Sequence, residues 1–96
     1  MGADIQALKE KIAPVARKYG VKTVYLFGSQ ARGDATEQSD YDFFIEKGSL
    51  RGFGVFGFEL ALEKLLNHGV DIVTSGIHNE RLRQSIERDK VLLYEA

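Results

Sequence analysis

Ile5, Leu8, Ile12, Val15 and Tyr19 recur at three- and four-residue spacing among polar neighbours, the period of one buried helix face. Asp4 stands where such a helix needs a cap and Gly20 where it needs a stop, so the pattern predicts a first amphipathic helix between them. Pro14 falls inside it. Proline has no N–H for the carbonyl four residues back, so the helix is expected to kink there or to divide in two.

The period then changes. "KTVYLFG" is β-branched and aromatic, apolar at both parities, and predicts a strand covered on both faces. "DYDFFIEKG" predicts a second strand with unlike faces: Tyr41, Phe43 and Ile45 on one, Asp40, Asp42, Phe44 and Glu46 on the other. "GSLRGFGVFG" is glycine-rich and is expected to be a flexible connection. Phe58, Leu62, Leu65 and Leu66 mark a second long helix, which Gly69 is expected to stop. "VDIVTSG" predicts a third strand with Asp71 on its less apolar parity. Asn79 is positioned to cap a helix with Leu82 and Ile86 on its inner face, and "VLLYE" predicts a closing strand. The fold class is therefore α+β, a small mixed sheet of about four strands with helices packed against it. No repeat, linker or low-complexity segment divides the chain, so residues 1–96 are expected to form a single domain.

Composition narrows the function. Thirteen Lys and Arg against fourteen Asp and Glu give a formal charge of −1, without the basic field that non-specific nucleic-acid binding draws on, so a nucleic-acid partner is disfavoured. The absence of cysteine removes disulfides, thiolate zinc sites and cysteine nucleophiles, and fits a reducing cytoplasm. No stretch approaches a membrane span of roughly 20 apolar residues, and the start "MGADIQALKEK" has no signal-peptide core. Its Met-Gly pair invites N-myristoylation, but Gln6 stands where that signal wants Ser or Thr. The expectation is a soluble, unprocessed, cytoplasmic protein.

Two aspartates at the head of an apolar strand need a reason, because aspartate is a poor strand former. Their i, i+2 spacing puts both carboxylates on one face about 7 Å apart. A divalent cation between them would relieve their repulsion, and two carboxylates plus substrate phosphates suit magnesium. A bare Asp-x-Asp is also compatible with a loop end and a solvated strand edge. Gly28 and Ser29 follow the first strand; Gly28 offers a backbone that a phosphate can approach, and Ser29 is read as the cap of a short helical turn through "QARG". Arg32 and Ser39, within the intervening arc, are added as candidate nucleotide contacts. A phosphate cradle and a metal platform on adjoining strand ends are the two things a nucleoside triphosphate requires. A third carboxylate would complete a two-metal site. Asp71 is the candidate, since an acid in "VDIV" has no packing role; Glu46 is its rival on the face of Asp40 and Asp42.

"GSQARGDATEQSDYD" resembles the signature of the minimal nucleotidyltransferases of the DNA polymerase beta superfamily, Gly-Ser, ten residues, then Asp-x-Asp. Gly28, Ser29, Asp40 and Asp42 match it, Asp71 matches the later strand aspartate, and "RLRQSIERDKVLLYEA" is similar to the closing helix and strand. The resemblance implies a nucleotidyltransferase fold and transfer of AMP from ATP with magnesium. On it, Gly28 and Ser29 hold phosphates, Asp40 and Asp42 hold two metals, and Asp71 is third ligand and base.

Ninety-six residues leave little surface to hold an acceptor in line, so the acceptor is expected to be a protein or to be held by one. The resemblance implies a HEPN-domain toxin as partner in a hetero-oligomer, with AMP transferred to one of its tyrosines by an antitoxin. Two alternatives stay open: a small-molecule acceptor with a separate binding subunit, and a non-enzymatic antitoxin that occludes its partner. Phe53 and Phe56 are read as the first core residues of the following helix, with a lid or partner contact as alternative. His78, Lys22, Arg81, Arg83 and Arg88 are assigned to the solvated surface.

Overall fold

The computed structural model describes residues 4–76 and 79–96. The Met-Gly start and His78 lie outside them. α1 (Ile5–Tyr19) begins where Asp4 accepts the Ala7 N–H at 3.2 Å and ends at Gly20, whose left-handed φ of 73° lets its N–H reach the Ala16 and Arg17 carbonyls. Pro14 does not divide it, so α1 is one helix of 15 residues.

β1 (Thr23–Phe27), α2 (Ser29–Arg32), β2 (Tyr41–Glu46), α3 (Phe53–Leu66), β3 (Val70–Thr74), α4 (Glu80–Asp89) and β4 (Val91–Glu95) follow. The strands order β3-β2-β1-β4, with β1 antiparallel to both β2 and β4 and β2 parallel to β3. The expected mixed sheet is thus present. Its parity also matches expectation: Phe43 and Ile45 are fully buried, whereas Asp42, Phe44 and Glu46 are half-buried.

The apolar face joins Val24, Leu26, Phe43 and Ile45 to Leu8, Ile12 and Ala16 of α1 and Phe58 and Leu62 of α3 in one core. Each of the Val, Leu, Ile and Phe side chains among them, fully buried, is stabilised by roughly 1.5–3 kcal/mol relative to exposure. Phe27, Ala35 and Ile86 are buried outside that cluster, while α2 and α4 contact β1. Asn79 caps α4 by accepting the Leu82 N–H at 3.1 Å.

The segment after β2 departs from expectation. The glycine-rich "GFGVFG" is not a flexible connection from end to end, because α3 already begins at Phe53. Helix formation here is driven by tertiary burial of Phe58 and Leu62, which outweighs the poor helix propensity of Gly54 and Gly57. Phe53 and Phe56 are helical but not core: they are 94% and 60% exposed. Leu65 is likewise exposed, leaving Phe58 and Leu62 to carry the buried stripe. Gly69 does not stop the helix either. Asn67 does, at φ 55°, with its N–H donated to the Glu63 carbonyl at 2.8 Å.

Candidate nucleotide and metal site

The sheet register places the acidic residues. Phe27 of β1 stands opposite Asp42 of β2, and Asp42 opposite Asp71 of β3, so one row crosses three strands on one face. Adjacent strands lie about 4.8 Å apart, which brings the Asp42 and Asp71 side chains together. Asp40 precedes β2 by one residue and is exposed. Glu46 lies four residues beyond Asp42, where its carboxylate accepts the Thr23 hydroxyl at 2.7 Å. The strand therefore separates the two rivals: Asp71 is in the row and Glu46 is not.

Asp42 records its surroundings electrostatically. Its carboxyl is pushed above the usual range, first by burial, then by the charges of Asp71 and Asp40 and a hydrogen bond with Asp71, with Arg32 opposing. Three carboxylates thus share one neighbourhood and repel one another. Among the described residues, no three His, Cys, Asp or Glu side chains are drawn into a ready metal cage. The donor set itself is all oxygen, the chemistry a hard divalent cation takes.

Gly28 couples the two halves of the motif. At φ 75° and ψ −157° it occupies backbone space that belongs to glycine. A Cβ on it would run into the Asp42 carboxylate, with Asp42 Cγ at 3.3 Å and Asp42 Cβ at 3.4 Å. The residue at the strand end is small because the Asp42 side chain fills the place of its own.

Ser29 is not a cap. Gly28 is, and its carbonyl accepts the N–H groups of Ala31 and Arg32, each at 3.0 Å. Ser29 opens the helical turn, half-buried, with no hydrogen-bond partner for its hydroxyl among the described residues. Ser39 is turned into its own loop: its hydroxyl accepts the Thr36 N–H at 2.8 Å, and its carbonyl accepts Gln30 Nε2 at 3.3 Å. Buried Gln30 thereby ties α2 to the residue before Asp40.

Arg32 is engaged by protein carboxylates. Its Nη1 donates to Asp89 at 2.9 Å and its Nε to Asp34 at 3.2 Å. Arg88 Nε also reaches Asp89, at 3.0 Å, so Arg88 belongs to this cluster rather than to a free charged surface. Asp89, with a side chain only 4% exposed, is held below the usual carboxylate range, chiefly by Arg88 and then by Arg32, against the opposing effect of burial. Its stabilising contribution is complete above the unfolded-chain value of about 3.9 and is lost as pH falls through the lower folded value. In acid melts, Asp89→Asn is expected to flatten the loss of stability below about pH 4; a melting profile as steep as that of the unaltered chain would contradict it.

Two contacts at the site carry no sequence signal: that of Gln30 with the Ser39 carbonyl, nine positions away, and that of Asp89 with Arg32, 57 positions away. Glu59 on α3 is raised by burial first, then by Glu63, and then by the charge of Asp71.

A family model described as polymerase beta nucleotidyltransferase matches residues 10–96. A candidate protein adenylyltransferase of Methanocaldococcus jannaschii is 43% identical, over 77% of this chain and 78% of its own. A solved structure described as a candidate minimal nucleotidyltransferase superposes with TM-score 0.75 at 33% identity, covering 93% of this chain and 95% of that one. A complex from Shewanella oneidensis, of a tri-AMPylated HEPN toxin with its MNT antitoxin, contains a chain of the same fold at TM-score 0.70 and 21% identity, over 96% of this chain and 73% of that one.

Proposed function

The chain belongs to the polymerase beta nucleotidyltransferase family, and from that premise we propose that it transfers the AMP of ATP to a hydroxyl of a partner protein. The observation that carries this reading is the row of Asp42 and Asp71 across β2 and β3, with Asp40 beside it and Gly28 against Asp42. Asp40, Asp42 and Asp71 would hold Mg2+ in a two-metal site. Bound there, the metal supplies neutralisation of the triphosphate and a clamp on the attacking and leaving oxygens. Gly28 leaves room for the Asp42 carboxylate beside the backbone, and the Ser29 hydroxyl donates to a phosphate. Asp71, exposed on an edge strand, faces the acceptor side and takes the proton of the attacking hydroxyl. That oxygen bonds to the α-phosphorus as the bond to pyrophosphate breaks.

Arg32 acts through its field rather than by contact, since Asp34 and Asp89 already engage its guanidinium. Ser39 shapes the loop that delivers Asp40 instead of touching the nucleotide.

A protein acceptor is supported by the relative's name as a candidate protein adenylyltransferase, and a HEPN-domain toxin by the AMPylated toxin in the complex of like fold. The acceptor atom proposed is a tyrosine oxygen of that toxin. No helix among the described residues is long and apolar enough to cross a membrane, in keeping with the proposed cytoplasmic setting.

The test asks whether a neighbouring gene encodes a HEPN-domain protein and incubates that protein with this chain, labelled ATP and Mg2+. Label on a tyrosine of the HEPN protein, dependent on both Mg2+ and Asp71, is expected. Neutralisation of the toxin without label would point to occlusion, and label on a small molecule alone would reject the protein acceptor.

A further inference from the structure

We infer that Gly69 is a positioning residue for Asp40, an inference that rests on the reading of Asp40 as a metal-holding carboxylate. Gly69 closes the three-residue link between α3 and β3, and neither common reason for a glycine applies to it there. The left-handed cap of α3 is Asn67, and Gly69 is not among the glycines of positive φ. No left-handed φ bars a side chain from it.

Space is what it lacks. A Cβ on Gly69 would lie 2.5 Å from Asp40 Oδ1, 2.8 Å from Asp40 Cγ and 3.1 Å from Asp40 Oδ2. The Asp40 carboxylate therefore lies across the face of Gly69 where a side chain would project. Relief cannot come from the backbone, because the Tyr41 N–H donates to the Gly69 carbonyl at 3.0 Å and Val70 is in register with Tyr41. The Asp40 side chain has to move instead. Both residues are exposed, so that movement costs the fold little and falls on the geometry of the acidic cluster. Two glycines thus serve the two acids of the Asp-x-Asp pair in the same way, Gly28 at Asp42 and Gly69 at Asp40, although they lie on opposite sides of β2.

Mn2+ binding by titration calorimetry, without nucleotide, tests this on the full chain carrying Gly69→Ala, Asp40→Ala or both, with metal-free melting measured in parallel. Gly69→Ala is expected to weaken Mn2+ binding about 10-fold or more, as loss of a supporting residue does at other metal sites. Its melting temperature should stay within a few degrees of the unaltered chain, and it should add nothing to the effect of Asp40→Ala. Unchanged Mn2+ affinity in Gly69→Ala, with Asp40→Ala impaired, overturns the inference alone. Unchanged affinity in Asp40→Ala overturns the metal reading of Asp40 and the inference with it. Should Gly69→Ala melt far lower, recovery of stability in the double variant supports crowding by Asp40, and persistence of the loss refutes it.

Discussion

Replacing Asp42 by Asn is expected to lower AMP transfer by more than about 100-fold while raising the melting temperature of the metal-free protein. The two effects have one origin. The Asp42 carboxyl is pushed up by its burial and by the charges of Asp71 and Asp40, so its ionised form is disfavoured in the folded state relative to the unfolded chain. At neutral pH that charge costs stability. An amide of the same shape keeps the packing between Phe27 and Asp71 and removes the repulsion, but cannot hold a divalent cation as an anion. Thermal melts at pH 7 with and without Mg2+ check this: the unaltered chain should gain stability from Mg2+, and Asp42→Asn should start higher and gain less. Asp42 also has the opposite pH sign to Asp89. Acidification toward its raised value stabilises the metal-free fold, whereas further acidification through the lowered value of Asp89 destabilises it. A lower metal-free melting temperature for Asp42→Asn would reject this account of the acidic cluster.

Gly28→Ala is expected to be as damaging to transfer, yet opposite in its effect on stability. Its φ of 75° with ψ of −157° is a region essentially reserved for glycine, and a side chain there costs about 1–3 kcal/mol. For a domain of this size each kcal/mol lowers the melting temperature by about 4–8 °C. The added methyl also meets the Asp42 carboxylate and forces it out of its row. Loss of activity with a lower melting temperature separates this variant from Asp42→Asn, which loses activity while melting higher. Assays of transfer and melting on the same preparations decide between them. Retention of near-normal transfer by Gly28→Ala would show that Asp42 can be displaced without consequence.

Helix ends show how far local information reaches. Those marked by Asp4, Gly20 and Asn79 are legible in the sequence because capping is a contact within three or four residues. The "GFGVFG" segment misleads because its glycines report weak local propensity, while burial of Phe58 and Leu62 against α1 and the sheet decides the outcome. Gly69 misleads for a related reason: a glycine near a helix end has a common local explanation, and its neighbour Asp40 belongs to another segment. The ion pair of Arg32 with Asp89 is not legible either, since the two lie 57 positions apart.

The sequence by itself determined the strands, their two-faced parity, the family, and the pairing of a Gly-Ser turn with two acids at fixed spacing, because each depends on periodicity or on residues near one another in the chain. Only the tertiary structure decided which third acid joins them. Parallel pairing of β2 with β3 sets Asp71 beside Asp42, and antiparallel pairing with β1 sends Glu46 to Thr23. Register is a relation between strands, fixed by the packing of the whole sheet.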